Sequence, residues 1–233
     1  MIIKGLQKTT LLDFPTKVAC TVFTSGCNFR CPFCHNASLV VNPDNSDTVN
    51  VEALFDYLNK RRGILDGVCV TGGEPLLQKD IKEFIKRIKD LGYAVKLDTN
   101  GSRSKTLIEL VEEDLVDYVA MDIKGAPEKY SLICGIDLQK YMDDVNESVK
   151  FLLSGAVEYE FRTTVVRELH NINDFHNIGK WISGTEKYFL QQFKDSGDLI
   201  ANDNFSPYNK EEMEEILNVV RTYIPKAELR GIN

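Results

Sequence analysis

Gly26-Cys27-Asn28-Phe29-Arg30-Cys31-Pro32-Phe33-Cys34-His35-Asn36 follows directly on Lys17-Val18-Ala19-Cys20-Thr21-Val22-Phe23-Thr24. The second stretch is apolar and rich in β-branched residues, so it reads as a strand that delivers the first. Cys27, Cys31 and Cys34 form a C-x3-C-x2-C array. Three thiolates this close can turn toward one centre, and thiolates favour zinc or iron–sulfur clusters over harder ions. The count of three is informative. A closed zinc site or an ordinary cubane wants four ligands, so three leave one metal position open to chemistry. Two other readings of the array are a zinc knuckle completed by His35 or a distant residue, and cysteines packed as small hydrophobes.

Outward from this stretch, strands and helices alternate almost to the end of the chain. Helices are expected over 51–61, behind Asn50 as N-cap, and over 79–91, 104–113, 143–153, 174–182 and 211–223. Strands are expected over 67–71, 93–97, 116–123, 157–166 and 187–193. The helix over 79–91 is the clearest, with Ile81, Phe84, Ile85 and Ile88 on one face and Gly92 as its stop. Such alternation predicts parallel pairing with right-handed crossovers. Six units predict an incomplete (β/α)6 parallel barrel over 1–233 as a single domain, with an open doubly wound sheet as the other architecture. Functional groups should gather at the C-terminal ends of the strands in either case.

Composition narrows the class. The 233 residues are 43% hydrophobic, enough for a core, and the net charge of −7 comes without a basic block. A nucleic-acid partner is therefore not expected. No apolar run approaches the ~20 residues that cross a bilayer. Met1 to Gly5 lacks the regions of a signal peptide, which points to the cytoplasm and reduced cysteines. Cys20, Cys69 and Cys134 lie apart in apolar sequence and read as packing residues. Trp181 reads as core, and His170 and His176 as surface or capping groups. The polar stretch 195–207 is unassigned.

Motifs stand at the strand ends. The second strand runs into Thr71-Gly72-Gly73-Glu74-Pro75, the third into Asp98-Thr99-Asn100-Gly101, the fourth into Met121-Asp122-Ile123-Lys124, and the fifth carries Phe161-Arg162-Thr163-Thr164. Gly72-Gly73 admits close backbone approach, although a plain turn explains it equally. Together with the cysteine array, these motifs resemble the radical S-adenosylmethionine (radical SAM) superfamily. The residue before its last cysteine is aromatic, here Phe33.

The resemblance implies that Cys27, Cys31 and Cys34 hold three irons of a [4Fe-4S] cluster, whose fourth iron takes the amino and carboxylate groups of S-adenosylmethionine. It implies cofactor contacts from Phe33, Gly72, Gly73, Glu74, Asp98, Asn100, Lys124 and Arg162. It also implies a monovalent cation held by Asp98, Thr99 and Asp122. Leu11-Leu12-Asp13-Phe14-Pro15, Thr24-Ser25-Gly26-Cys27-Asn28 and Leu190-Gln191-Gln192-Phe193 extend the likeness to the branch that activates glycyl-radical enzymes. It is nearest to the anaerobic ribonucleotide reductase activating proteins. Lys194 stands where that branch can carry a cofactor-contacting histidine. The implied activity is one-electron cleavage of S-adenosylmethionine, fed by a donor such as a flavodoxin or ferredoxin, and hydrogen abstraction from a partner's glycine. A compact small-molecule enzyme, such as a 7-carboxy-7-deazaguanine synthase, is the alternative. A zinc or electron-transfer module without catalysis is a third reading.

Overall fold

The computed structural model describes residues 1–41, 48–137, 140–195, 197, 199–201 and 204–232. Each apolar strand segment forms a strand, and the strands lie side by side in chain order. They are β1 (Ile3–Thr10), β2 (Ala19–Thr24), β3 (Gly67–Gly72), β4 (Ala94–Thr99), β5 (Tyr118–Asp122), β6 (Glu158–Val165), β7 (Tyr188–Gln192) and β8 (Glu228–Arg230). β2 to β8 run parallel, and β1 is antiparallel to β2. The order begins at β1 and ends at β8, so the sheet is open: a partial barrel whose six central strands are those expected.

The two edge strands were not legible. β1 contains Lys4, Gly5, Gln7 and Lys8 and buries only its ends fully, so it lacks an apolar run. β8 is three residues long, too short for any periodicity.

Helices return the chain between strands: α1 (Ala37–Val40), α2 (Val51–Lys60), α3 (Ile81–Asp90), α4 (Ser104–Glu112), α5 (Tyr130–Cys134), α6 (Met142–Leu153), α7 (Ile172–Trp181) and α8 (Lys210–Arg221). Asn50 caps α2 as expected, accepting the Ala53 amide at 3.1 Å. α3 buries Ile81, Phe84, Ile85 and Ile88, and Gly92 leaves it at φ +88°. Burying each such side chain is worth roughly 1.5–3 kcal/mol. α7 starts two residues before the expected Asp174. Asn171 takes the N-cap and Asp174 answers it in a capping box, which fixes the start physically.

His170 is not a surface group. It is 2% exposed, with Nε2 at 2.9 Å from the Lys124 carbonyl and Nδ1 at 3.1 Å from the Val166 amide. Its ring ties the end of β6 to the exit of β5. His176 is half-buried against the Tyr223 hydroxyl at 3.1 Å. Trp181 is partly buried at the core margin, its Nε1 donating to Asn146 at 3.0 Å. Among the described residues no helix is long and apolar enough to cross a membrane.

Candidate active site

The C-terminal ends of the parallel strands surround a cavity of about 270 Å³. Cys27, Cys31, Phe33, Cys34, Gly72, Gly73, Asp98, Thr99, Asn100, Asp122, Lys124 and Arg162 all line it. Parallel pairing explains the gathering. Each motif ends a strand, and the register sets β2 to β6 level, for example Thr24 opposite Gly72 and Asp122 opposite Arg162. Sequence reasoning did not assign Phe29, Asn36, Val40, Thr164 or Gln191 to the site, yet they complete its wall together with His35. At β7 the lining residue is Gln191, not Lys194.

The cysteine loop is held from several sides. The Cys34 amide bonds the Cys31 carbonyl at 3.0 Å, making a turn, and Arg30 N–H bonds the Cys134 carbonyl at 2.9 Å. The 195–207 stretch reaches this loop: Ala201 N–H donates to the Pro32 carbonyl at 3.1 Å. Phe205 packs on Phe193, which packs on His35, with ring centroids 6.3 and 5.4 Å apart. Residues 196, 198 and 202–203 of that stretch lie outside the described residues.

Gly72 and Gly73 are demanded by the protein's own backbone. Gly72 has φ +116°, and a Cβ there would fall 2.4 Å from the Thr24 backbone. A Cβ on Gly73 would fall 1.9 Å from the Gly26 carbonyl oxygen. The glycines press the exit of β3 against the entrance of the cysteine loop, with Gly73 N–H on Thr24 O at 3.0 Å and Glu74 N–H on Gly26 O at 2.8 Å.

Glu74 does not line the cavity. It is wholly buried beneath it and accepts from Thr99 Oγ1 at 2.9 Å, the Asn100 amide at 2.7 Å and the Leu76 amide at 3.1 Å. Its carboxylate braces the end of β4. Burial outweighs the three donors and pushes its carboxyl up to about 7.

The six cysteines are free thiols. Cys27, Cys31 and Cys34 share one cavity, but among the described residues no cluster of His, Cys, Asp and Glu is gathered around a single ion position. Three thiols spread around one space suit a polynuclear cluster, in which each binds a different iron, better than a lone zinc. Burial pushes the Cys27 thiol up to about 12 and raises that of Cys34, so a metal must displace their protons. Cys31 goes the other way, because a hydrogen bond from the Cys134 thiol favours its thiolate. Cys134 is a packing residue whose backbone carbonyl meets the cysteine loop at Arg30.

Opposite the cysteines, charges alternate across three strands. Arg162 on β6 reaches Asp98 on β4 at 3.2 Å and Asp122 on β5 at 3.0 Å. Lys96 pairs with Asp98, and Lys124 with Asp122 at 2.9 Å. Asp98, Asp122, Lys124 and Arg162 line the cavity and balance one another, while the buried Lys96 pairs with Asp98 without lining it. Burial alone would raise the Asp122 carboxyl, but Arg162 and Lys124 bring it down to about 2. These cations occupy the carboxylates expected to hold a monovalent ion. Thr99 is engaged elsewhere, donating to Glu74 and accepting the Gly101 amide at 3.1 Å. Asp98, Thr99 and Asp122 thus line one cavity, with both carboxylates held in ion pairs.

Lys96 was overlooked, although period-two alternation puts it on the same face as Asp98. Tyr130 was also missed. Its buried hydroxyl accepts the Lys124 amide at 3.2 Å and donates to the Asp122 carbonyl at 3.3 Å, fixing the backbone that carries both charges.

Comparison with known proteins agrees with this arrangement. Residues 21–171 match the model of the Radical SAM superfamily. A candidate glycyl-radical enzyme activating enzyme of Methanocaldococcus jannaschii is 30% identical over all of this chain and 97% of its own length. The pyruvate formate-lyase-activating enzyme of Clostridium pasteurianum is 26% identical over 84% of this chain and 83% of its own. A protein of Thermococcus kodakarensis described as a GTP 3',8-cyclase is 35% identical over 55% of this chain and 42% of its own. In fold, the chain is similar to Streptococcus suis SuiB bound to precursor peptide SuiA, with a TM-score of 0.71 at 13% identity over 94% of this chain. It is also similar to native anSMEcpe with bound AdoMet, with a TM-score of 0.62 at 18% identity over 86% of this chain. The chain spans about half the length of the former and 58% of the latter. The three loop thiols, the glycine exit of β3 and the partial parallel barrel thus have one explanation: this chain is a member of the radical SAM superfamily, enzymes that work with a [4Fe-4S] cluster and S-adenosylmethionine.

Proposed function

We propose that this enzyme activates a glycyl-radical enzyme, with an anaerobic ribonucleotide reductase as its partner and a flavodoxin or ferredoxin as its electron donor in the cytoplasm. The observation that carries the reading is the 30% identity with the M. jannaschii activase candidate, which runs through the whole of both chains rather than through the cofactor motifs alone. The Leu11 to Pro15 and Leu190 to Phe193 stretches support the choice of partner.

The cofactor pair supplies one-electron reduction and hydrogen-atom abstraction. Cys27, Cys31 and Cys34 hold the cluster. Gly72, Gly73 and Asn100 present backbone and amide groups to S-adenosylmethionine, and Lys124 and Arg162 present positive charge suited to its carboxylate. Glu74 acts from below by fixing Thr99 and Asn100. The open sheet leaves the cavity accessible to a peptide loop.

The likeness to the GTP 3',8-cyclase favours a small-molecule reading, but it spans only 42% of that protein, whereas the activase likeness is complete. The test is anaerobic. The reconstituted, reduced protein is mixed with S-adenosylmethionine and an anaerobic ribonucleotide reductase, and the glycyl radical is sought by electron paramagnetic resonance. A radical on the partner with stoichiometric 5′-deoxyadenosine supports the proposal. Absence of a radical on any glycyl-radical enzyme, alongside turnover of GTP or another small molecule, refutes it.

A further inference from the structure

β5 ends at Asp122, and Ile123 and Lys124 carry the chain beyond it. Backbone groups buried there need partners that the ladder alone does not supply. The Ile123 amide still reaches the Arg162 carbonyl at 2.8 Å. The remaining groups turn to side chains. The Ile123 carbonyl accepts Thr163 Oγ1 at 2.7 Å. The Lys124 amide donates to the Tyr130 hydroxyl at 3.2 Å, and the Lys124 carbonyl lies 2.9 Å from His170 Nε2. Lys124 is thus gripped on both sides of its Cα, by a tyrosine that starts α5 and a histidine between β6 and α7.

His170 is set for this contact. A carbonyl can only accept, so Nε2 carries the ring proton. Nδ1 then accepts the Val166 amide at 3.1 Å, and both ring nitrogens are satisfied in the neutral form. The residue itself is tied down. Its amide donates to the Val166 carbonyl at 2.9 Å, its carbonyl accepts the Tyr208 hydroxyl at 2.6 Å, and Phe175 packs beside its ring. The side chain of the residue so gripped lines the cavity, with Lys124 Nζ 2.9 Å from Asp122. A lysine stem is flexible, so where its ammonium stands depends on how firmly its backbone and its partner hold it.

We propose that His170 is a positioning residue for cofactor binding: with Tyr130 it locks the Lys124 backbone, so that the Lys124 ammonium is in place for the carboxylate of S-adenosylmethionine. This rests on the reading that Lys124 meets that carboxylate. His170 touches neither cofactor nor cluster in this view. With the grip released, binding must also order the lysine, which weakens affinity about threefold to tenfold.

The test measures binding, not turnover. The full chain, reconstituted without oxygen and left unreduced, is dialysed against S-adenosylmethionine or its decarboxylated form. The readout is the preference for the former, taken as the ratio of the two dissociation constants. His170→Phe removes the Nε2 donor, His170→Gln returns an N–H donor, and Tyr130→Phe removes the other half of the grip with little change of shape. The preference should fall about threefold to tenfold in His170→Phe and Tyr130→Phe and recover in His170→Gln, with the decarboxylated form bound as by the wild type. Tyr130→Phe and His170→Gln carry the same test should His170→Phe not assemble its cluster. An unchanged preference in the phenylalanine variants, or equal weakening of both ligands, would overturn the proposal and leave His170 a packing group. Lys124→Met checks the underlying reading separately: a wild-type preference there would show that Lys124 does not meet the carboxylate, and the proposal would fall with it.

Discussion

Replacing Arg162 by methionine tests whether the alternating charges are one linked structure. Arg162 is the only member that touches both aspartates, bridging β4, β5 and β6. Its removal leaves Asp98 with Lys96 and Asp122 with Lys124. Breaking a fully buried pair costs about 3–5 kcal/mol, and an exposed pair about 0–1 kcal/mol. Arg162 and Asp98 are each 15% exposed, and Asp122 is 31% exposed. The first contact sits near the buried limit, while the second is discounted for solvent, and the two lysines still neutralise both carboxylates. An expected loss of about 2–3 kcal/mol follows.

For a chain of this size that is a fall of roughly 4–12 °C in melting temperature. Urea denaturation of cluster-free protein gives the free energy directly, and Asp98→Asn combined with Arg162→Met gives the coupling. A single-variant loss below about 1 kcal/mol, or additivity in the cycle, would refute the linked arrangement. The wild type should also lose stability on acidification. The depressed Asp122 carboxyl contributes stability that is present above its unfolded value of 3.8 and vanishes as pH falls through about 2.

Three further outcomes are expected. Alanine at Cys27, Cys31 or Cys34 should each abolish cluster assembly, read as iron content and visible absorbance, whereas Cys20→Ala should keep its iron; retention of a full cluster by any of the first three would exclude that residue as a ligand. Gly73→Ala should lower stability and S-adenosylmethionine binding together, because its Cβ meets a backbone oxygen that no rotamer can move; wild-type melting and binding would show that the β3 exit is not tightly packed. Glu74→Gln should flatten the pH dependence of stability. The Glu74 carboxyl is about 7 when folded against 4.5 unfolded, so the native state holds the proton more tightly. Stability should then fall by about 3 kcal/mol as pH rises from 4.5 to 7, and an unchanged slope in the amide variant would assign the pH dependence to another group.

The local sequence determined much of this protein. The C-x3-C-x2-C spacing is nearly covalent geometry, since three thiols in eight residues must share one neighbourhood. The six central strands and their helices follow from apolar periodicity, and parallel order then brings every motif to one end of the sheet. What stayed hidden depends on pairs far apart in the chain. Arg162 meets Asp98 because the strands are level in register, which no local pattern states. Glu74 was expected at the cofactor, and the structure buries it outside the cavity lining, because the turn after Gly73 aims it at Thr99 and Asn100. His170, an unremarkable histidine in sequence, is buried because the end of β6 folds back over Lys124. Cys134 reads as filler until Gly135 lets α5 touch the cysteine loop. Chain connectivity and periodicity thus dictated which elements form and which residues end them. Tertiary packing decided which charges neutralise one another and which helix end meets the cysteine loop, because both depend on distances of a few ångströms between segments that sequence separation does not constrain.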